Sequence, residues 1–267
     1  MNDDIVHKLQ WPSAFVIDSA ARTVTLRDAS NGTDTAKAIN ASFQSVVDAA
    51  IDSGDFPWLN DQHSEMYPIL GARHQPVSIE RYTASMFGII HRGAHLTAYV
   101  RTPDGLKIWV SRRAAHLATW PGKLDNTVAG GIKAGHSPWD CILAESDEEA
   151  SLAADLVWER ARVAGAITYA TKSRRTGLTY PDVLYVYDME LPAEVVPKPK
   201  DDEVEEFVLM TVDEVKGAMV RGEFKPNSNL VTIDFLLRHG VITPENEPDY
   251  VEILTRLHRR LPVPLAP

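Results

Sequence analysis

Three carboxylates share one face of a predicted helix in the segment GGIKAGHSPWDCILAESDEEASL, Gly130 to Leu152. At 3.6 residues per turn each step rotates about 100°, so Glu145, Glu148 and Glu149 fall within an arc of roughly 100°. Like charges at this spacing destabilise a helix by about 0.2–0.5 kcal/mol per pair. No Lys or Arg occurs from Ala134 through Glu159 to relieve them. A hard divalent cation would, and oxygen-rich clusters are what Mg²⁺ prefers. The spacing therefore reads as a site for Mg²⁺ (or Mn²⁺), with Glu145, Glu148 and Glu149 as its ligands and catalytic carboxylates.

The elements that must position these groups are announced locally. Ser137 is a good N-cap, Pro138 suits the first helical position, and Asp140 stands where a capping box needs an acceptor. Trp139, Ile142, Leu143, Ser146 and Ala150 form a mostly apolar stripe beside the acidic one. Burying that stripe fixes the direction of the carboxylates. Ahead of the helix, Gly130, Gly131 and Gly135 read as a flexible loop whose backbone approaches a phosphate closely.

The segment resembles the Nudix box, G-x5-E-x7-R-E-U-x-E-E-x-G-U, where U is a bulky apolar residue. Gly130 takes the first glycine, Glu145 the first helix glutamate, Glu148 and Glu149 the paired glutamates, and Leu152 the final apolar position. His136, Ala144, Ser146 and Ser151 depart from it, replacing the loop glutamate, the arginine, an apolar residue and a glycine. Losing His136's and Ala144's acid–base pair together strands no charge, which fits a retained fold.

Further segments look like one subgroup: ATWPGKLDNTVAGG (Ala118 to Gly131), DVLYVYDMELP (Asp182 to Pro192), EVEEFVLMTVDEV (Glu203 to Val215) and FKPNSNLVTIDFLLRHG (Phe224 to Gly240). That subgroup is the Nudix proteins related to the N-terminal part of fungal thiamine pyrophosphokinases and to their plant homologues. The resemblance implies a mixed β-sheet sandwiched between helices at 93–267, after a small α+β N-terminal domain at 1–92. It implies hydrolysis of a diphosphate linkage, with thiamine diphosphate or a damaged analogue going to the monophosphate. Alternatives are a conjugate such as ADP-ribose or NADH, or a weakened domain that binds a diphosphate without cleaving it. His136 and Ala144 favour the last.

The rest of the chain bounds these readings. Its 267 residues suffice for one large domain or two modest ones, and 44% hydrophobic with 24% charged residues places it among globular proteins. A net charge of −10 argues against nucleic acid as partner, since backbone binding needs clustered cations. An anionic substrate must then be met by local cations and metal. Arg112, Arg113 and Lys123 are the candidate phosphate-binding cations, with Gly130, Gly131 and His136 as further substrate-binding candidates; His136 also reads as a plain loop residue. Glu203, Glu205 and Glu206 are candidates for an additional acid. The single cysteine, Cys141, excludes an internal disulfide and points to a reducing compartment. No signal peptide and no membrane span are evident, so a cytoplasmic protein is expected, and a homodimer stays open. No Gly-x4-Gly-Lys-Ser/Thr loop, nucleophile elbow or paired Cys-x-x-Cys occurs.

Periodicity outlines the remaining elements. A hairpin is expected over 14–27, a helix from Ile39 to Ile51 ending near Gly54, and strands at 95–101 and 106–113 around TPDG. After the box come a helix at 154–163, strands near 166–171, 183–190 and 207–210, and helices from Thr211, over 229–238 and over 250–261. Interleaving of this kind is α/β.

Overall fold

A computed structural model describes residues 1–59, 63–174 and 176–265. The first ninety residues hold helix α1 (Asp3–Lys8), the hairpin β1 (Phe15–Asp18) and β2 (Thr23–Leu26), and helix α2 (Thr35–Ser53). The hairpin β3 (Met66–Pro68) and β4 (Ser78–Glu80) and the short α3 (Arg81–Ala84) follow. The sequence places α2 well: Asp34 caps its start, and Gly54 closes it in the left-handed conformation, φ 67°.

The remainder is built on a seven-stranded mixed sheet. Its strands are β5 (His91–Thr102), β6 (Gly105–Arg113), β7 (Leu124–Asp125), β8 (Val128–Gly131), β9 (Ala161–Lys172), β10 (Thr179–Glu190) and β11 (Val204–Thr211). The order is β11-β6-β5-β10-β9, with β7 on β6 and β8 on β5. Among the strand pairs of this sheet in the described residues, only β5–β10 is parallel. Strand β5 pairs with β8 over Gly93 to Leu96 and with β6 over Tyr99 to Thr102, so β6 splays away and β7–β8 fill the opening.

Helices cover both faces. On one side α4 (Pro138–Ala150) and α5 (Ala154–Arg160) bury Ile142, Ala150, Leu152 and Val157 against Ala94, Leu96, Ala98 and Met189. On the other, α6 (Val212–Val220), α7 (Pro226–Arg238) and α8 (Tyr250–Leu257) cover Tyr99, Ile108, Val110, Leu184 and Val186. The architecture is the expected α/β sandwich with a mixed sheet. Leu178 of the β9–β10 hairpin packs among Ile5, Phe15, Val46 and Met86, so the first ninety residues share a core with the sheet. No helix among the described residues is long and apolar enough to cross a membrane.

Two helices end before the residue expected from the sequence. The helix expected over 154–163 stops at Arg160, because Ala161 is buried and already pairs with Met189. The last helix ends at Leu257, where His258 bridges to Thr168 at the sheet edge.

Candidate active site

The carboxylate-bearing helix forms for the reasons visible in its sequence. Ser137 Oγ accepts from Asp140 N at 3.1 Å and the Asp140 carboxylate accepts from Ser137 N at 2.8 Å, a complete capping box. Pro138 opens the helix and Ser151 closes it in the left-handed conformation, φ 53°, where the box has glycine. The 198–201 loop covers that end: Lys198 N and Asp201 N donate to Ala150 O and Glu148 O.

The three glutamates do not share one environment. Glu149 is buried, 6% exposed, and accepts a hydrogen bond from Ala129 N of β8 at 3.1 Å. Glu145 is half-buried against Gly130, and Glu148 is exposed. A solvated acidic face is therefore excluded for Glu149. Burial pushes the Glu145 carboxyl up to about 7, with repulsion from Glu148 and Glu203 adding to it. Burial, then repulsion from Glu145 and Asp125, holds Glu149 well above the carboxylate range. Neither makes an ion pair among the described residues.

A buried and a half-buried carboxylate one helical turn apart, beside a glycine strand, have the donor chemistry of a hard cation site. Among the described residues no three histidine, cysteine or acidic side chains stand close enough to form a ready-made cage. Mg²⁺ does not need one, since it is commonly held by one or two carboxylates, with water and phosphate oxygens completing its shell.

Gly130 and Gly131 are the last residues of β8, not a flexible loop. Their lack of side chains still matters, for a steric reason the sequence hides. A Cβ on Gly130 would lie 2.2 Å from Glu145 Oε1, and one on Gly131 would lie 2.1 Å from the Tyr67 hydroxyl. Gly130 makes room for the carboxylate, and Gly131 lets β3 of the first ninety residues dock.

The sequence-nominated cations are spoken for by the protein itself. Arg112 Nε meets Glu206 at 2.7 Å, Arg113 Nη1 lies 3.5 Å from Asp125, and Lys123 Nζ donates to Gly222 O at 2.7 Å. His136 is exposed on the turn before α4, and Ala144 is exposed as well; the Asp140 carboxyl is held low by the Ser137 backbone and side chain, with His136 the last contributor. Of the later acids, Glu206 is engaged by Arg112, whereas Glu203 is near enough to raise Glu145.

Sequence reasoning missed Lys225, which precedes α7. Its Nζ donates to buried Asp125 at 2.9 Å, and its charge also acts on Glu149, Asp182 and His95. Lys225 is thus a cation near Glu149, while Lys133 acts on Glu145. The available signal was a lysine directly before the N1 proline of a helix, Lys225-Pro226. Around it, Ser228 donates to Asp125 and His95 Nδ1 meets Asn126 at 2.7 Å, a buried network joining β5, β7 and α7. Burial lowers the His95 imidazole to about 4.

Residues 91–229 match the NUDIX domain, from the first residue of β5 into α7. The chain is 40% identical over 223 residues to the uncharacterized protein YJR142W of Saccharomyces cerevisiae, covering 79% of this chain and 64% of that protein. It is 37% identical to Nudix hydrolase 20, chloroplastic, and 38% identical to Nudix hydrolase 24, chloroplastic, both of Arabidopsis thaliana. Those alignments cover 80% and 73% of this chain but 56% and 53% of the relatives. The chain thus spans between about half and two thirds of the length of these proteins. With the matched segment running from the sheet's central strand through the carboxylate helix to α7, the chain belongs to the NUDIX family.

Proposed function

We propose that the chain is a divalent-metal-dependent hydrolase that cleaves the diphosphate of an X–diphosphate substrate. The observation that carries this reading is the pair Glu145 and Glu149, brought together at the end of β8 with no ion-pair partner among the described residues and both pushed up by burial. A bound Mg²⁺ or Mn²⁺ would supply Lewis-acid stabilisation of phosphate oxygens and a more acidic water. Glu149, fixed by Ala129 N, and Glu145, seated on Gly130, would hold it, with Glu148 reaching from solvent. Glu203, near enough to raise Glu145, would take the proton from water. Lys225 would meet a phosphate oxygen in exchange for part of its contact with Asp125.

For the group X, the resemblance of the 118–131, 182–192, 203–215 and 224–240 segments to the thiamine-linked subgroup supports thiamine diphosphate or a damaged analogue, released as the monophosphate. A second reading, a weakened domain that binds a diphosphate without cleaving it, is favoured by the exposed His136 and Ala144 in place of the box's acid–base pair.

One assay separates them. Purified protein with Mg²⁺ or Mn²⁺ is incubated with thiamine diphosphate, its 4-oxo analogue, ADP-ribose and NADH, and products are identified by mass. The expected result is a thiamine-type monophosphate. Glu149→Gln should lower turnover by at least about 100-fold while the melting temperature is kept. Turnover of no compound would favour the binding-only reading, and ADP-ribose as the preferred compound would replace the substrate.

A further inference from the structure

Resting on the diphosphatase reading, we propose that the row Tyr169–Asp182–His91, walled by Tyr67 and Tyr180, receives the group X as a planar heteroaromatic ring presenting one hydrogen-bond donor beside one acceptor.

The row is set by strand register. Asp182 of β10 lies between its partners Tyr169 of β9 and His91 of β5, so all three side chains rise from one face of the sheet. Tyr180, two residues earlier on β10, rises from the same face. Aromatic rings enclose the position: His91 meets Tyr67 edge-on at 5.7 Å and is tilted against Tyr180 at 5.7 Å. Flat walls of this kind suit a flat ring.

The row adjoins the carboxylate site. The Tyr67 hydroxyl lies against Gly131, whose carbonyl is met by Cys141 Sγ of the glutamate helix at 3.6 Å. A ligand with its diphosphate at Glu145 and Glu149 can therefore present its ring here.

The polar groups are under-used for a purely structural cluster. Asp182 lies beside the Tyr169 phenol, which is also near Asn227, and it makes no ion pair among the described residues. A carboxyl group can engage about four partners. His91 Nε2 is buried with no hydrogen-bond partner. Such groups in a native protein ask for a ligand. Burial raises the Asp182 carboxyl to about 7, against the lowering effects of Tyr169 and Lys225. Below that value the carboxyl keeps its proton and offers a donor and an acceptor side by side. It complements the amino–ring-nitrogen edge of an aminopyrimidine or adenine, and equally its oxo counterpart.

The test needs no hydrolysis and uses the full chain. Calorimetry compares thiamine monophosphate with the phosphate of its thiazole half, and adenosine monophosphate with ribose 5-phosphate. The wild type should bind the pyrimidine- or purine-bearing member of one pair at least about 10-fold more tightly, and the pair concerned identifies the ring. Asp182→Asn, which keeps a neutral donor and acceptor, should retain that preference, whereas Asp182→Val should abolish it. If Asp182→Val does not fold, Tyr169→Phe, which frees the carboxyl, should weaken the preference instead. No preference in the wild type, or one that survives Asp182→Val, overturns the assignment. Parallel assay of the wild type on the diphosphates reports separately on the hydrolase reading: loss of ring selectivity with intact turnover sinks only the subsite.

Discussion

Glu145 and Glu149 differ from ordinary surface glutamates because the fold withdraws water from them and gives neither an ion-pair partner among the described residues. Gly130 is part of that arrangement, since any side chain there would displace the Glu145 carboxylate by its own volume. Gly130→Ala should leave the fold intact, because a flexible side chain can swing away, yet lower metal-dependent turnover by about 100-fold through misplacement of that carboxylate. A Gly130→Ala enzyme with wild-type turnover would show that Glu145 has no fixed role. The carboxylates were legible from spacing alone. What spacing hides is that Glu149 is buried, Glu148 exposed, and Arg112, Arg113 and Lys123 already paired, because burial and partners are set by residues distant in sequence.

His95 gives a second test at this scale. Its imidazole stays neutral in the fold down to about pH 4, whereas an unfolded histidine binds a proton near 6.5. The unfolded chain therefore holds the extra proton between those values, so this contribution to stability is lost as pH falls from 6.5 towards 4. His95→Asn removes the effect. Its destabilisation relative to wild type, measured by denaturant titration, should shrink by about 1.4 kcal/mol per pH unit over that window. A pH-independent difference would place a charged or exposed His95 in the fold.

Among the elements, α4 was the most legible, because Ser137, Pro138, Asp140 and its apolar stripe all specify the same helix. Removing the cap by Ser137→Ala should cost about 1 kcal/mol in thermal or denaturant unfolding. No loss would mean that the 198–201 loop and the core stripe alone set this helix. Other boundaries were less legible for identifiable reasons. Ala161 looks like a helix residue until Met189 pairs with it, and β8 looks like a glycine loop until Gly93 to Leu96 lie beside it. Lys225 escaped notice because its importance comes from Asp125, one hundred residues earlier.

For the molecule as a whole, the first ninety residues are tied to the sheet rather than appended to it. Met66 O accepts from Ala134 N at 2.7 Å, Tyr67 abuts Gly131, and Leu178 enters the N-terminal core. Calorimetry should therefore record one cooperative unfolding transition, and two well-separated transitions would contradict a shared core. The change of texture near residue 92 is visible in the sequence, whereas the docking of Tyr67 on Gly131 is not, since nothing local links them.

The account depends most on a cation bound between the β8 edge and α4. Titration of Mn²⁺ into the wild type, followed by its electron paramagnetic resonance signal, tests this directly. Wild type should bind Mn²⁺, and Glu149→Gln and Glu145→Gln should each weaken binding by at least about 10-fold. Equal affinity in wild type and both variants would contradict the account.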